Sequence, residues 1–550
     1  MTSHPSPIPP KSEELPSSGH VTTSNPLRTA RSLVLLQLLS RLLTFTLNQV
    51  LLRLASPAVF GTAAIQFDLI CSTILFLSRE GIRNALLRTK SKPPGDVVQK
   101  DERQVKTLSM IPFQLGLVIS VIVGLIYIHS SDSTTTSQSD FYPSLGMYIL
   151  GSLMELSIEP VYIAIHRSNP PRLGVRLRAE GGMAILRSVV TVISLLALGD
   201  KNALLSFALG QVAGAGWLVV IYLKEVKWDV KSLFWTGKVE DEDRFNPHTV
   251  SLALANTGQS FVKHLLTEAD RIAVARICPL DGQGGYAVAM NYGSLIARII
   301  FQPLEESLLL HYSSSSPTSS HTISLYTLTI RLSLYLTTII LSFVQPLYPS
   351  LSVILLPRQY QSTSAPSILH LYLISYIPLM SLNGITETFV TSSATPKQIR
   401  EQSKWMIASS SVFALTLFGM TSTDTSTSTI FNKWSWNVEP TREESLILAS
   451  CSAMLVRIVF SLLHAKKTFW SKFGVKDVLP DLRIIIWNCS VWLLLDKLAK
   501  TGSWKVNWKG WIELIGAGGV LGLVTLGFIF LVERGRLHDL RSSSKGKKVE

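Results

Sequence analysis

The sequence predicts an all-α polytopic membrane protein with about fourteen transmembrane helices. Three observations carry that prediction. Of 550 residues, 47% are hydrophobic and only 16% charged, with mean hydropathy +0.31. The apolar residues gather into unbroken runs of roughly 20 rather than recurring at the spacing of a half-buried helix. Lys and Arg concentrate in alternate connecting segments, the pattern that short loops beside membrane spans adopt.

Residues 1–28 are rich in Pro, Ser and Thr and lack a basic stretch before a short apolar core. They read as a disordered cytosolic tail rather than a cleavable signal, which leaves the first span, 29–54, as the anchor. Apolar runs then place spans at 58–79, 106–129, 143–166, 179–199 and 203–223, completing a first group, 29–223. The polar stretch 224–247, with its acid run Glu240 to Asp243, reads as a cytosolic linker. A second group, 248–466, holds spans at 248–276, 284–310, 322–348, 366–393, 403–420 and 444–465. Two more, 480–499 and 510–533, form an appendage over 467–535 before a basic tail, 536–550. Polar residues lower the hydropathy of the fourth, seventh and eighth spans, so their limits are the least sharply drawn.

Net charge is +14, from 51 basic and 37 acidic residues, and the excess has an address. Arg79 to Lys106 holds eight Lys/Arg, while Arg167 to Arg178 and Lys466 to Lys476 hold four each, which assigns those segments to the cytosol. Ser130 to Asp140 and Cys278 to Gln283 hold none and belong on the far side; Lys500, Lys505 and Lys509 are the dissenting charges. Loop charge of this kind accounts for the basic balance, so no nucleic-acid partner is expected. An even number of spans puts both termini in the cytosol. There Lys547 and Lys548, fourth and third from the carboxyl end, resemble a di-lysine signal for retrieval to the endoplasmic reticulum; a solvated basic tail is the plainer reading. Four unpaired cysteines, Cys71, Cys278, Cys451 and Cys489, read as small core residues.

The seventh and eighth spans are the most polar of the set. Between Asn256 and Glu306 they carry Lys263, His264, Glu268, Asp270, Arg271, Arg298, Glu305 and Glu306. An ionised group in hydrocarbon costs a few kcal/mol or more unless it meets a partner or a wet cavity, so such a cluster points to a polar pathway or ligand site. Two segments about 220 residues apart also read alike. Asn48, Arg53, Pro57, Phe60 and Gly61 run into one apolar helix; Asp270, Arg276, Pro279, Gly285 and Tyr286 run into another. This self-similarity predicts two six-helix lobes in parallel repeat with a ligand cavity between them.

Six short segments in order, RLLTFTLN from Arg41, REGIR from Arg79, ELSIEP from Glu155, LTEADR from Leu266, NYGSLIAR from Asn291 and NGITETF from Asn383, resemble the Rft family over roughly residues 29–535. The resemblance implies a MATE-like fold in the endoplasmic reticulum membrane. It also implies a ligand, the dolichyl-diphosphate-linked oligosaccharide Man5GlcNAc2-PP-dolichol, translocated for protein N-glycosylation. Such a ligand needs three surfaces. Arg41, Arg79, Arg83, Lys263 and Arg298 offer donors to a diphosphate. Asn48, Glu155, Glu159, Glu268, Asp270 and Asn383 offer partners to sugar hydroxyls, and the polyprenyl tail needs no pocket if the cavity opens sideways to lipid. Arg41 and Asn48 share a helical face, as do Glu155 and Glu159.

The bland alternatives are structural ion pairs and snorkelling at span ends. Glu268 and Arg271 stand three apart and can neutralise one another; Arg271, Glu305 and Glu306 are assigned to pairing; Arg79 ends a span; and Arg83 can serve as positive-inside charge. A membrane glycosyltransferase is disfavoured, because the first far-side loop is only Ala55 to Ala58, too short to carry a catalytic carboxylate pair. No GxxxxGK[ST] motif occurs, and no cofactor or metal is expected. A non-transporting glycolipid-binding protein of the same pathway shares every one of these features with a carrier. The topology itself is testable: tags at Lys92 and Glu550 should both be cleaved by protease added to sealed microsomes, and protection of either contradicts the assignment.

Overall fold

The computed structural model describes residues 43, 45–88, 96–168, 173–229, 247–314, 316–421, 441–469, 474, 478–500 and 508–546. Arg41, Lys547 and Lys548 lie outside them, as do the side chains of Lys263 and Arg298. Among the described residues the secondary structure is helical, without strands. In hydrocarbon an unpaired backbone group costs several kcal/mol, and a helix satisfies its own.

Helix α1 covers 45–54, and α2, Pro57–Leu87, begins on a proline at its first turn behind Ser56, whose Oγ accepts from the Val59 N–H. Then come α3 (Arg103–Ser130), α4 (Phe141–Arg167), α5 (Gly174–Leu198) and α6 (Asp200–Glu225). The second half of the chain runs α7 (Pro247–Thr267), α8 (Ala269–Ile277), α9 (Leu280–Ile296), a π-helical segment (Ala297–Phe301) and α10 (Gln302–Ser314). It continues through α11 (Ser320–Leu355), α12 (Ala365–Ser393), α13 (Pro396–Thr421), α14 (Arg442–Phe469), α15 (Leu482–Lys500) and α16 (Trp508–Gly546).

Nine helices among the described residues are long and apolar enough to cross a membrane: α2 to α6, α11, α12, α14 and α16. Five of the expected spans lack that signature. The first is only partly described. The seventh breaks at Glu268 (φ −96°, ψ 6°) into α7 and α8, and the π segment interrupts the eighth. Helix α13 opens with Lys397, Arg400, Glu401 and Lys404, and α15 carries Arg483, Asp496, Lys497 and Lys500. The Arg79 to Lys106 segment is also not a plain loop. Helix runs on through Arg88, so Arg79 and Arg83 sit on a helical face that buries Ile82, Ala85 and Leu86. Basic residues near a helix C-terminus are favoured by its dipole.

Small residues set the close contacts, as in lipid they must where apolar burial does not drive helices together. A Cβ on Gly210 of α6 would stand 2.7 Å from the Arg187 carbonyl of α5. Three π-helical stretches, Thr62–Phe67, Ala297–Phe301 and Tyr372–Tyr376, interrupt the regular ladder. Such bulges are rare and gather at functional sites. Cys71, Cys278 and Cys451 are buried; Cys489 is exposed on α15, contrary to its expected place in a core.

Helices α15 and α16 pack on α11. The tie is a buried ion pair: Arg331 of α11 donates to Glu533 of α16 at 2.7 and 3.1 Å, and Tyr335 donates to the same carboxylate oxygen at 2.5 Å. The two charged side chains are 5% and 3% exposed. Removing one member of such a pair strands the other charge, which costs about 3–5 kcal/mol. Arg331→Met should therefore lower the thermal midpoint of the purified protein sharply, and Arg331→Met with Glu533→Leu should recover most of it. A silent single substitution contradicts the assignment.

Candidate functional site

Polar side chains inside the helical bundle fall into three groups. In the first half, Arg79 and Arg83 are one turn apart on α2, and Glu155 and Glu159 are four residues apart on α4, on either side of a break at Ile158 (φ −95°, ψ 3°). Equal spacing lets the two faces meet rung by rung. Arg79 lies 3.6 Å from Glu155, and Arg83 holds Glu159 through a two-pronged fork, Nε to Oε1 and a terminal nitrogen to Oε2, both 2.5 Å. The Arg83 guanidinium also lies over the Tyr162 ring, 3.8 Å from its centre. Deeper along α2, Asp68 accepts from Arg187 of α5 at 2.7 Å. The side chain of Glu159 is 1% exposed, whereas Asp68 and Arg187 are 34% and 32% exposed. The deepest pair is thus the most open. Charges at that depth do not face hydrocarbon, and here each is answered by its partner.

The second group is a seam between the halves of the chain, where α2 meets α7 and α9. A Cβ on Gly61 would come 2.6 Å from the Leu280 carbonyl and 2.7 Å from the Gly284 nitrogen, and one on Gly284 would come 2.8 Å from the Pro57 carbonyl carbon. The contact is reciprocal. Side chains bridge around it: Asn48 to Asn291 at 3.3 Å, Tyr292 to Gln49 at 2.9 Å, Gln66 to Gln283 at 2.7 Å, and Tyr127 to Gln66 at 2.5 Å. Gln359 donates to the Leu52 and Ala55 carbonyls at 2.8 and 2.6 Å, and Arg276 donates to the Ser130 carbonyl at the end of α3 at 2.7 Å. These bridges lie at the end of the bundle whose loops, Ser130 to Asp140 and Cys278 to Gln283, carry no Lys or Arg. Toward the other end, His264 of α7 meets Thr73 at 3.0 Å and stacks on Phe76, both of α2.

The third group belongs to the second half. Arg271 donates to Glu268 at 3.2 Å across the break between α7 and α8, and Asp270 accepts from the Arg271 N–H at 2.8 Å. On α12, Asn383 donates to Glu387 at 3.1 Å, and Arg457 of α14 holds the same carboxylate at 2.5 Å. Glu306 accepts from Gln302 at 2.9 Å. Glu305 forms no ion pair among the described residues; its carboxyl carbon would lie 2.7 Å from a Cβ on Gly384.

The sequence-predicted residues are therefore distributed over all three groups. Arg79, Arg83, Glu155 and Glu159 pair with one another, Asn48 joins the seam, and Glu268, Asp270, Arg271, Asn383, Glu305 and Glu306 lie in the second half. The proposed anion donors Arg41, Lys263 and Arg298 have no described side chains; the backbone places Arg298 in the π segment. Sequence reasoning missed Asp68, Arg187, Glu387 and Arg457, though each is an ionisable residue inside an expected span and met the criterion applied to residues 256–306. Gln66 and Gln283 are uncharged and carried no comparable signal.

Comparison with known proteins bears on this geometry. The model of the Rft protein family matches residues 25–543. A protein of Schizosaccharomyces pombe named Man(5)GlcNAc(2)-PP-dolichol translocation protein RFT1 is 31% identical over 80% of this chain and 83% of its own. One of the same name from Xenopus tropicalis is 28% identical over 92% of this chain and 95% of its own. Among solved structures, the lipid II flippase MurJ in an inward closed conformation superposes with a TM-score of 0.60 at 13% identity, covering 91% of this chain and 99% of that one. The likeness extends the whole length of the bundle and shows a shared fold.

The seam makes a prediction of its own. Gly284→Val forces a branched side chain into the Pro57 backbone and should destabilise the protein by about 1–3 kcal/mol or more. Gly146→Ala, where nothing lies within 4 Å, should be neutral or slightly stabilising. Equal thermal midpoints for the two variants would contradict the close approach.

Proposed function

The chain belongs to the Rft protein family, and from that membership we propose that it translocates Man5GlcNAc2-PP-dolichol across the endoplasmic reticulum membrane, from the cytosolic to the lumenal leaflet. The observation that carries the reading is the name shared by relatives 25–32% identical over most of their length. The flippase fold supports it.

Physical chemistry divides the task. A diphosphate and its sugars cannot enter hydrocarbon at a tolerable cost, whereas the polyprenyl tail never needs to leave it. The protein has to supply a polar surface across the membrane, open sideways to lipid. In our reading two lobes, 29–223 and 248–466, enclose that surface, and 467–535 is an appendage on the second. The fourteen-span count and the cytosolic placement of both termini belong to the same proposal, as does retrieval through Lys547 and Lys548. Arg41, Arg79, Arg83, Lys263 and Arg298 receive the diphosphate; Asn48, Glu155, Glu159, Glu268, Asp270 and Asn383 receive sugar hydroxyls. Arg271, Glu305 and Glu306 hold the framework. The ion pairs of the first half then have a second use. A guanidinium paired to a carboxylate at 3.6 Å, such as Arg79 with Glu155, can turn to a phosphate while a sugar hydroxyl donates to the carboxylate it leaves. With the bridges gathered at the end poor in basic loops, loading is from the opposite, cytosolic side. No covalent bond is made or broken in such a cycle.

Arg→Lys substitutions at Arg41 and Arg298 test the reading in a strain lacking the protein, with glycoprotein occupancy as readout and membrane abundance as control. Lys keeps the charge and loses the fork, so Lys should fail nearly as badly as Ala, by about tenfold or more. The failing variants should accumulate the complete cytosolic-face oligosaccharide. Full rescue by Lys reassigns both residues to snorkelling, and accumulation of shorter oligosaccharides contradicts translocation in favour of sugar transfer.

A further inference from the structure

A cavity of about 370 Å³ opens between the first half of α2, the end of α3, the turn after it and helix α8. It lies outside the polar groups assigned to the glycolipid. Gln66 and Gln283, joined to each other, form part of its wall, with Thr73, Tyr127, Ser130 and Ser131. Ile126 stands at its lip and is 59% exposed, continuing an outward stripe on α3 through Val118 (58%), Ile122 (51%) and Leu125 (63%). Such a stripe on a membrane helix faces lipid tails. On its other side the cavity is bordered by the polar turn Ser131, Asp132, Thr134 and Thr135. The opening therefore straddles the boundary between hydrocarbon and the polar interface, where amphipathic molecules lie.

Its charges select among them. Arg276 and Asp132 both line the cavity, both are exposed, and they form no ion pair with each other. The Arg276 guanidinium rests on Ser130, donating to its carbonyl at 2.7 Å and its Oγ at 2.8 Å. The Asp132 carboxylate has no hydrogen bond or ion pair among the described residues, and although Asp132 precedes the short helix Ser133–Thr136 its side chain does not cap it. One cation and one anion, held apart in a single crevice beside an apolar lip, match a ligand that carries both signs. We propose that this crevice holds the headgroup of a zwitterionic phospholipid of the phosphoethanolamine kind, its phosphate on Arg276 and its ammonium on Asp132. A purely anionic headgroup could reach Arg276 but would bring no cation to Asp132 and would add negative charge beside it, and so would the diphosphate of the proposed cargo. Bound there, the lipid bridges α3 of the first half and α8 of the second, the two elements already tied by Arg276 and Ser130.

The full-length chain in dodecyl maltoside micelles, free of glycolipid and of other phospholipid, tests this independently of translocation. The probe is a photoactivatable phosphatidylethanolamine at low mole fraction. Labelling should map to peptides around Ile126 or Ile272, and unlabelled phosphatidylethanolamine should compete about tenfold better than phosphatidylglycerol. Arg276→Ala and Asp132→Asn should each cut labelling about tenfold, and Asp132→Asn should also abolish the discrimination against phosphatidylglycerol. Asp132→Asn is isosteric and exposed, so it keeps the proposal testable if Arg276→Ala loosens the seam. Equal competition by every headgroup, a preference for phosphatidylglycerol in the unaltered protein, or labelling indifferent to Asp132→Asn would overturn the proposal and leave an ordinary lipid-exposed vestibule.

Discussion

Between Gly61 and Gly284 the backbones of α2 and α9 approach until neither helix has room for a Cβ: one on Gly61 would lie 2.7 Å from the Gly284 nitrogen, and one on Gly284 would lie 2.8 Å from the Pro57 carbonyl carbon. The rest of the arrangement depends on this approach. It brings Gln66 within 2.7 Å of Gln283, Asn48 within 3.3 Å of Asn291 and Tyr292 within 2.9 Å of Gln49. These are single uncharged hydrogen bonds, each worth about 1 kcal/mol net, so they hold the seam shut without locking it. It also fixes the separation of α3 and α8, and hence the cavity beside them. In lipid, where apolar burial gives helices little reason to associate, fit of this kind carries much of the contact energy.

A second constraint acts on the charges. Every ionised side chain in a span needs a partner or water, and the protein meets that need mostly with partners: Arg83 with Glu159, Arg187 with Asp68, Arg457 with Glu387 and Arg331 with Glu533. The pairs differ in kind. Arg331 and Glu533 are sealed away and serve as an anchor between α11 and α16. Asp68 and Arg187 are about a third exposed. A pathway built from pairs that are neutral at rest avoids leaving stranded charges while no ligand is bound, which suits a site that must fill and empty repeatedly.

Much of this was legible in the sequence, and the residues show why the remainder was not. Run length revealed the apolar helices, because a membrane demands about 20 residues whatever they touch. Spacing alone put Glu155 and Glu159 on one face, and the four-residue step from Arg79 to Arg83 has the same period. That those two faces meet is a matter of helix packing, which a local pattern does not encode. Arg187 and Asp68 are 119 residues apart and meet only through the fold. The extension of α2 through Arg88 was obscured because its charges read as loop. The break at Glu268 has no proline or glycine to announce it. Gly61 belongs to the first self-similar segment and Gly284 falls within the second, yet only the folded chain reveals that the two copies press against each other.

The claim that this chain moves a glycolipid headgroup across a membrane is tested most directly by the purified protein in sealed vesicles bearing labelled Man5GlcNAc2-PP-dolichol on one leaflet. Access of the label to an impermeant probe on the opposite side is then followed in time. The account predicts that the probe reaches the glycolipid markedly faster than in protein-free vesicles, and that Arg298→Lys slows it toward the protein-free rate. Equal rates with and without the protein, when binding of the glycolipid is demonstrated in the same preparation, would contradict translocation and leave a glycolipid-binding member of the pathway.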